Sequence, residues 1–365
     1  MGRLYLCALL FAMINPFITK KGYKYYLCAI LAVLCYFAFH LEVVESMDLY
    51  RSIGKMRLYA EMGWEWAVAN RMDRNPLETV LFFVFGQFEN PMWLPAFTAF
   101  ICYGVAFSLI LKCAKHYDLT KGQMNCLLIF FCLNFYYDHA ITNIRIYLCY
   151  ALISYFMYHE LIEHRFKKTA WIIYIASCFL HYAAIPFLLF RMVLSLRRKL
   201  KNSEFCFLGI VFIAILFSEY IIPRMGALGG VFGTLVSKNE GYQEYQVFGI
   251  WQFLSSMMRI ACFSGLFIYM YRRCQENEQQ ILFYLGCICI MLIGMFREYQ
   301  LIYRTPNFIH YLGMIPLSLF MKKRKMDGRR DAMIYSVLSM CLFMVTVFTI
   351  FYQVMWTFPP IGFEF

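Results

Sequence analysis

Familiar catalytic signatures are missing from this chain of 365 residues. It contains no HExxH, GxSxG, Walker or dinucleotide-binding pattern, which argues against proteases, ATPases and dehydrogenases of familiar type. It also lacks an internal repeat, a low-complexity tract and a flexible linker, so we predict a single domain over residues 1–365. No cleavable signal pattern is recognisable, and the first apolar run is typical of a first membrane span.

Charge is scarce, because charged residues make up only 15% of the chain and hydrophobic residues 62%. Soluble domains are about 45–50% apolar, and one soluble core cannot bury this much apolar surface. In lipid, only helices and closed barrels satisfy their backbone polar groups. The apolar runs are continuous and roughly 15–22 residues long, so we predict an all-α polytopic membrane protein with about 12 transmembrane helices. Several runs are short, which predicts broken or re-entrant segments.

Acidic residues are fewer than basic ones, 22 against 34, and the formal net charge is +12. On a soluble protein this excess would suggest nucleic acid, but 22 of the basic residues lie in loops between apolar runs. That distribution is the positive-inside pattern, so we expect a lipid bilayer and no nucleic acid as partner. The loops alternate correctly if 77–88 does not cross and 169–196 crosses twice, turning near His181. Both termini then face outside.

The 15 cysteines lie almost entirely within apolar runs or at their edges, where cysteine behaves as a small hydrophobic residue. Cys287-x-Cys289 has no second pair of ligands, so zinc is not expected. No acidic cluster on the outer side resembles a cage for a divalent cation. We therefore predict a metal-independent protein without a cofactor.

Two predicted outer segments are long. Residues 42–76 carry an aromatic patch at Trp64 and Trp66, and their apolar spacing predicts an interfacial helix on the membrane surface. Residues 223–249 begin with a glycine-rich piece that no Lys-Ser/Thr follows and no strand precedes, so it is not a phosphate loop. A mobile gate and a plain loop are equally consistent with 223–249.

Four arginines sit in, or at the outer end of, an apolar run: Arg145, Arg259, Arg297 and Arg304. An arginine at a bilayer centre costs about 2.5–3.5 kcal/mol on insertion scales, so we expect a negative partner from the protein or the substrate. A guanidinium offers a planar fork for phosphate oxygens. At Arg145, which follows Asn143, a helix start would add free N–H groups for an anion. A snorkelling arginine is the alternative.

Two titratable residues are candidates for proton transfer. His181 lies in an apolar context near the predicted outer turn, which suits a general base near neutral pH, although a structural histidine is as common there. His139 competes with it, and His310 and His40 are weaker candidates. Asp48 follows the second apolar run directly, and its carboxylate is placed to deprotonate or orient a sugar hydroxyl unless it is simply a solvated loop acid.

The order of several short motifs resembles the EpsG branch of the Wzy polysaccharide polymerases over most of the chain. The motifs are Ser46-Met47-Asp48-Leu49-Tyr50, Tyr136-Tyr137, Asn143-Ile144-Arg145, Arg165-Phe166-Lys167-Lys168, Leu180-His181-Tyr182-Ala183-Ala184-Ile185, and Arg304 through Pro316. The chain departs from the family pattern in three places. The usual glycine before Asp48 is absent, Ile146 replaces a common glutamine, and the closing tail is only faint in Pro359-Pro360.

The resemblance implies a GT-C-like helical bundle that polymerises undecaprenyl-pyrophosphate-linked oligosaccharide repeat units at the outer face of the bacterial cytoplasmic membrane. The product would be capsule, exopolysaccharide or O-antigen. The partners would be the lipid-linked donor and acceptor glycans, with a chain-length regulator. The residues implied are Arg145, Arg304, Arg297 and Arg259 for the leaving pyrophosphate, His181 and then Asp48 for catalysis, and Asn143, Tyr50 and Tyr137 for substrate positioning.

Three other functions fit parts of the same pattern. An O-antigen-ligase-type glycan transferase uses the same donor, and only the order of the motifs favours a polymerase over it. A transporter of lipid-linked glycans predicts charges at mid-span and symmetry between the two halves, and neither is clear in this sequence. A membrane acyltransferase would also use a histidine within the membrane and basic loops.

Overall fold

The computed structural model describes residues 10–45, 47–71, 75–135, 137–196, 250–271, 273–294, 306–322 and 336–344, together with Cys7 and Val347. Within these ranges every regular element is helical, as the continuous apolar runs predict. The long outer segment at 223–249, predicted as a gate or a plain loop, lies outside the described residues, and so do Arg297 and Arg304.

Contacts divide the chain into two compact units, Met1–Leu188 and Leu189–Phe365. The first unit holds α1 (Tyr23–Phe39), α2 (Asp48–Arg71), α3 (Pro76–Gly86), α4 (Trp93–His116), α5 (Lys121–Asn134), α6 (Tyr137–Thr142), α7 (Ile144–Leu161), α8 (Lys167–Leu180) and the start of α9 (Ile185–Leu196). The second unit holds α10 (Ile250–Tyr271), α11 (Glu276–Gly294), α12 (Pro306–Leu312) and α13 (Met314–Lys322).

Helix α4 is the central element of the first unit and packs against both α1 and α7. Small side chains such as Ala99, Cys102 and Ala106 are fully buried on it. Among the described residues, α4 is the one helix that is both long and apolar enough to cross a membrane by itself. The total of about 12 transmembrane helices, which the length of the apolar runs and the charge pattern predict, stays a prediction.

Helices α7 and α8 form an antiparallel pair joined by the short connection 162–166. The Cys149 thiol donates to the Ser177 carbonyl at 3.4 Å and so fixes the register of the pair. At the far end of α8, His181 leaves the helix with an extended backbone, and a short 3-10 turn over Tyr182–Ala184 leads into α9. The apolar segment is therefore interrupted at His181, and the reversal of the chain expected there stays a prediction.

Helix α2 occupies most of the segment predicted to carry an interfacial helix, and it packs against α3. Its buried residues Leu49, Ile53, Met56 and Tyr59 recur at the spacing of one helix face. Gly63, with φ of 83°, interrupts the helical backbone and kinks α2. The helix is confirmed, and its location on a membrane surface stays a prediction.

Gly86 ends α3 at a point where α2 approaches closely. A Cβ at this position would lie 2.5 Å from the Met56 carbonyl oxygen, so Gly86→Ala must push the two helices apart. We expect the free energy of unfolding to fall by about 1–3 kcal/mol, measured by thermal or denaturant unfolding of the purified protein.

Gly104 in α4 is the matched control, because a Cβ there would meet Leu31 Cδ2 at an ordinary 3.7 Å. Gly104→Ala removes a glycine from a helix interior and should leave stability unchanged or raise it by about 0.5–1 kcal/mol. Equal losses at both positions would show that the α2–α3 contact is not the cause.

Candidate functional site

One buried carboxylate connects three helices of the first unit. Glu78 on α3 accepts a hydrogen bond through Oε2 from Nη1 of Arg145, the second residue of α7, at 2.6 Å. Its other oxygen, Oε1, accepts from Nζ of Lys55 on α2 at 3.0 Å. The predicted arginine therefore belongs to a Lys55–Glu78–Arg145 cluster.

Burial differs sharply within this cluster. The Glu78 side chain is 5% exposed, whereas that of Arg145 is 27% exposed and that of Lys55 is 43% exposed. A buried carboxylate is costly unless it is paired, and here each oxygen has a cation. Within the described part of the chain, the bond to Glu78 is the one side-chain hydrogen bond that Arg145 makes, and it uses Nη1.

Sequence reasoning missed Lys55 and Glu78, although it anticipated a negative partner for the arginines. Arg145 has that partner in Glu78. A signal was available, because Glu78 is the one acidic residue within the apolar run 77–88. An ionisable residue in such a run is a functional candidate by default.

His181 lies at the same end of the α7–α8 pair as Arg145. The contact between Cys149 and Ser177 joins the two helices, and it lies four residues from Arg145 on one side and four from His181 on the other. Four residues of α-helix rise about 6 Å, so both side chains extend beyond this contact in the same direction. The two residues share one end of the helix pair, and their location at one face of a membrane stays a prediction.

The hydrogen bonding of His181 fixes its tautomer. Its Nδ1 accepts a hydrogen bond from the Ala183 backbone N–H at 3.1 Å, which caps the 3-10 turn. A neutral ring with this bond carries its proton on Nε2. The tautomer is compatible with a role as hydrogen-bond donor, and the general-base role expected from the sequence stays a prediction.

Asp48 and Tyr50 lie at the start of α2. Asp48 is the first residue of the helix and is 3.9 Å from Nη1 of Arg51. It precedes Lys55 by seven residues, which is two turns or about 10 Å along the same helix face. Asp48 thus lies two helical turns from Lys55 on α2, and Tyr50 is exposed on another side of the helix.

The other two predicted positioning residues differ in their surroundings. Asn143 precedes α7 without capping it, and its Nδ2 donates to Thr142 Oγ1 at 3.3 Å and lies 3.5 Å from Nδ1 of the competing His139. Tyr137 donates its hydroxyl to the Leu34 carbonyl of α1, which is a structural contact. Asn143 therefore contacts Thr142 and His139 two residues before Arg145 in the chain, whereas the Tyr137 hydroxyl is bound to α1.

A second charged group lies at the opposite end of α7. Lys112 Nζ is 3.0 Å from Glu163 Oε1, and Nδ1 of the buried His159 is 2.7 Å from Glu163 Oε2. Partial burial acts to raise the pKa of Glu163, but the hydrogen bond from Lys112 and the neighbouring His159 hold it below its usual value. The carboxylate is therefore ionised near neutral pH and ties α4 to the end of α7.

In the second unit, Arg259 lies within α10 and its side chain is buried, with 1% of the residue exposed. Its Nη2 donates to Ser256 Oγ at 3.3 Å, one turn earlier in the same helix. His310, on α12, is also buried and contacts Phe263 with ring centroids 5.6 Å apart. Among the described residues, no group of three or more His, Cys, Asp or Glu side chains has the arrangement of a metal site.

Comparison with protein families places the chain beside a known family. The model of the EpsG family matches residues 79–358, which includes Asn143, Arg145 and His181 and begins one residue after Glu78. No curated protein matches the chain, and no solved structure matches it. Because the match covers most of the sequence and contains the motifs at the start of α7 and the end of α8, the chain belongs to the EpsG family, a family of polysaccharide polymerase-like membrane proteins.

Proposed function

We propose that this protein is a glycosyltransferase that polymerises lipid-linked oligosaccharide repeat units. The donor is a glycan on undecaprenyl pyrophosphate, and its reducing end is transferred to a hydroxyl of a second lipid-linked unit, which releases the lipid pyrophosphate. The observation that carries the proposal is the position of Arg145, partly open at the start of α7 and held beside Lys55 by a buried carboxylate.

Charge complementarity supports this reaction. The leaving pyrophosphate carries several negative charges, and preformed donors that stabilise such charge are the largest contribution to catalysis that a protein can make without a metal. The free N–H groups at the start of α7 add a partial positive charge at the same place. The cluster has two cations for one carboxylate and so retains a net positive charge when no substrate is bound.

The roles of the proton-transfer residues follow from their hydrogen bonds. His181 presents its Nε2–H at the same helix end and would donate to the pyrophosphate as the glycosidic bond breaks. Asp48 carries a partly exposed carboxylate two turns along α2 from Lys55 and would accept the proton of the attacking sugar hydroxyl. Asn143 would orient the substrate beside Arg145.

The length of α7 fits a transmembrane location inside a helix bundle, although α4 is the one described helix that is long and apolar enough to cross a membrane by itself. The 18 residues of α7 span about 27 Å, close to the ~30 Å hydrocarbon layer of a bilayer. Charged groups lie at both ends, with Arg145 and Glu78 at one and Lys112 and Glu163 at the other. We place the Arg145 end at the outer face of the bacterial cytoplasmic membrane, because the basic loops then face the cytoplasm.

Deleting the gene and separating the surface glycans on a gel tests this function. If the protein is a polymerase, the deletion should remove the long chains and leave single repeat units on the cell surface. Loss of all surface glycan would instead indicate transport or ligation, and unchanged chain length with altered acetylation would indicate acyl transfer. Restoring the long chains with the full-length gene on a plasmid is the control.

A further inference from the structure

We infer that Lys55 and Arg145 together form a diphosphate cradle and that Glu78 is the positioning residue that sets the two cations side by side. This inference rests on the proposed function, which requires a pyrophosphate near Arg145 but assigns no role to Lys55 or Glu78. Both of these residues precede the stretch matched by the EpsG family model. The evidence for the cradle is therefore the contacts among Lys55, Glu78 and Arg145 in this chain, and not the family match.

The two cations converge because they bind opposite oxygens of one carboxylate. Nη1 of Arg145 is 2.6 Å from Oε2 of Glu78, and Nζ of Lys55 is 3.0 Å from Oε1. Lys55 is also held by the buried ring of Phe82, whose centroid lies 5.9 Å from Nζ, within the range of a cation–π contact. Without the carboxylate, the ammonium and guanidinium groups would repel each other. Their proximity therefore depends on Glu78.

Exposure decides where a ligand would bind. The Glu78 side chain is almost completely buried, whereas both cations are partly open. An anion arriving from the open side meets Lys55 and the remaining Arg145 donors first, and it does not need to displace the carboxylate. Glu78 thus supports the cations from the buried side. Since both of its oxygens already bind cations, it is not a base for the acceptor hydroxyl.

Two adjacent cations discriminate between phosphate esters. A diphosphate can place one phosphoryl group on the guanidinium fork and the other on the ammonium, whereas a monophosphate brings fewer charged oxygens to the same two cations. The cradle should therefore prefer a diphosphate. This preference suits an enzyme whose donor and leaving group are diphosphates in a membrane that also contains lipid monophosphates.

The test measures binding to the purified full-length protein in nanodiscs by calorimetry. The probes are inorganic pyrophosphate, inorganic phosphate, undecaprenyl pyrophosphate and undecaprenyl monophosphate. We expect wild-type protein to bind each diphosphate more tightly than the matching monophosphate. Glu78→Gln should weaken diphosphate binding by about tenfold or more, as should Lys55→Met, and Lys55→Met should also remove the preference over monophosphate. Comparing the inorganic and lipid probes separates recognition of the diphosphate from recognition of the lipid.

Arg57→Met is the matched control, because Arg57 is exposed on the same helix and lies outside the cluster. It should leave diphosphate binding unchanged.

Tighter binding by Glu78→Gln would mean that the carboxylate competes with the ligand, and unchanged binding would mean that it does not position the cations. Either result overturns the inference while leaving the proposed function intact. If the wild-type protein binds no diphosphate, the result contradicts both the inferred cradle and the proposed function. Lys55 is partly exposed, so Lys55→Met keeps the test decisive even if Glu78→Gln does not fold.

Discussion

Arg145→Ala is expected to abolish chain growth while the protein still accumulates in the membrane. The substitution removes the guanidinium that the proposed mechanism places on the leaving pyrophosphate, and removing one such preorganised donor typically costs about 10²–10³ in rate. It also leaves the buried Glu78 with Lys55 as its remaining cation within the described residues. The measurement is the conversion of purified lipid-linked repeat units to longer chains, together with the ladder of surface glycans in cells.

Two controls separate chemistry from folding at this position. Arg165→Ala removes an exposed arginine from the opposite end of the α7–α8 pair and should leave chain length normal. Arg145→Lys keeps a positive charge near Glu78 but loses the planar fork, so we expect partial activity with weaker binding of the donor. Normal chain length in Arg145→Ala would remove this residue from the site and with it the main support for the proposed reaction.

The sequence predicted well those features that depend on local pattern. The sequence has an apolar run at 144–162, and it corresponds to α7 at Ile144–Leu161. The helix that includes the end of the basic motif Arg165-Phe166-Lys167-Lys168 ends at Leu180, directly before His181. Polar residues at both ends of each run determine these boundaries. The placement of Arg145 and His181 at one end followed from the boundaries alone, because a short connection makes two consecutive helices antiparallel.

The pairing of distant residues could not be predicted in this way. Glu78 and Arg145 are separated by 67 positions, and Lys55 and Glu78 by 23. Helix α2 carries charges on several faces, and its packing against α3 decides that Lys55, rather than Arg57, reaches Glu78. The hydroxyl of Tyr137 is similarly engaged by Leu34, 103 positions away. Periodicity identifies helices, but it does not say which residues of two helices meet.

Replacing His181 with asparagine is expected to reduce chain growth by about 10²–10³, even though the protein folds normally. Asparagine is a favoured helix-capping residue, so its side-chain oxygen can accept the Ala183 N–H in place of Nδ1. Its Nδ2 amide donor lies closer to the backbone and does not reach the position of the imidazole Nε2–H. His181→Asn therefore removes the proposed donor and keeps the turn between α8 and α9.

His181→Ala completes the comparison, because it removes both the cap and the donor. Its chain growth should fall as far as that of His181→Asn, and its free energy of unfolding should fall by about 1 kcal/mol while that of His181→Asn stays close to wild type. If His181 is only a cap, His181→Asn will polymerise at the wild-type rate and His181→Ala alone will be impaired. The two variants together decide whether the imidazole at the end of α8 takes part in the reaction or only shapes the turn, because the cap and the donor use different ring nitrogens.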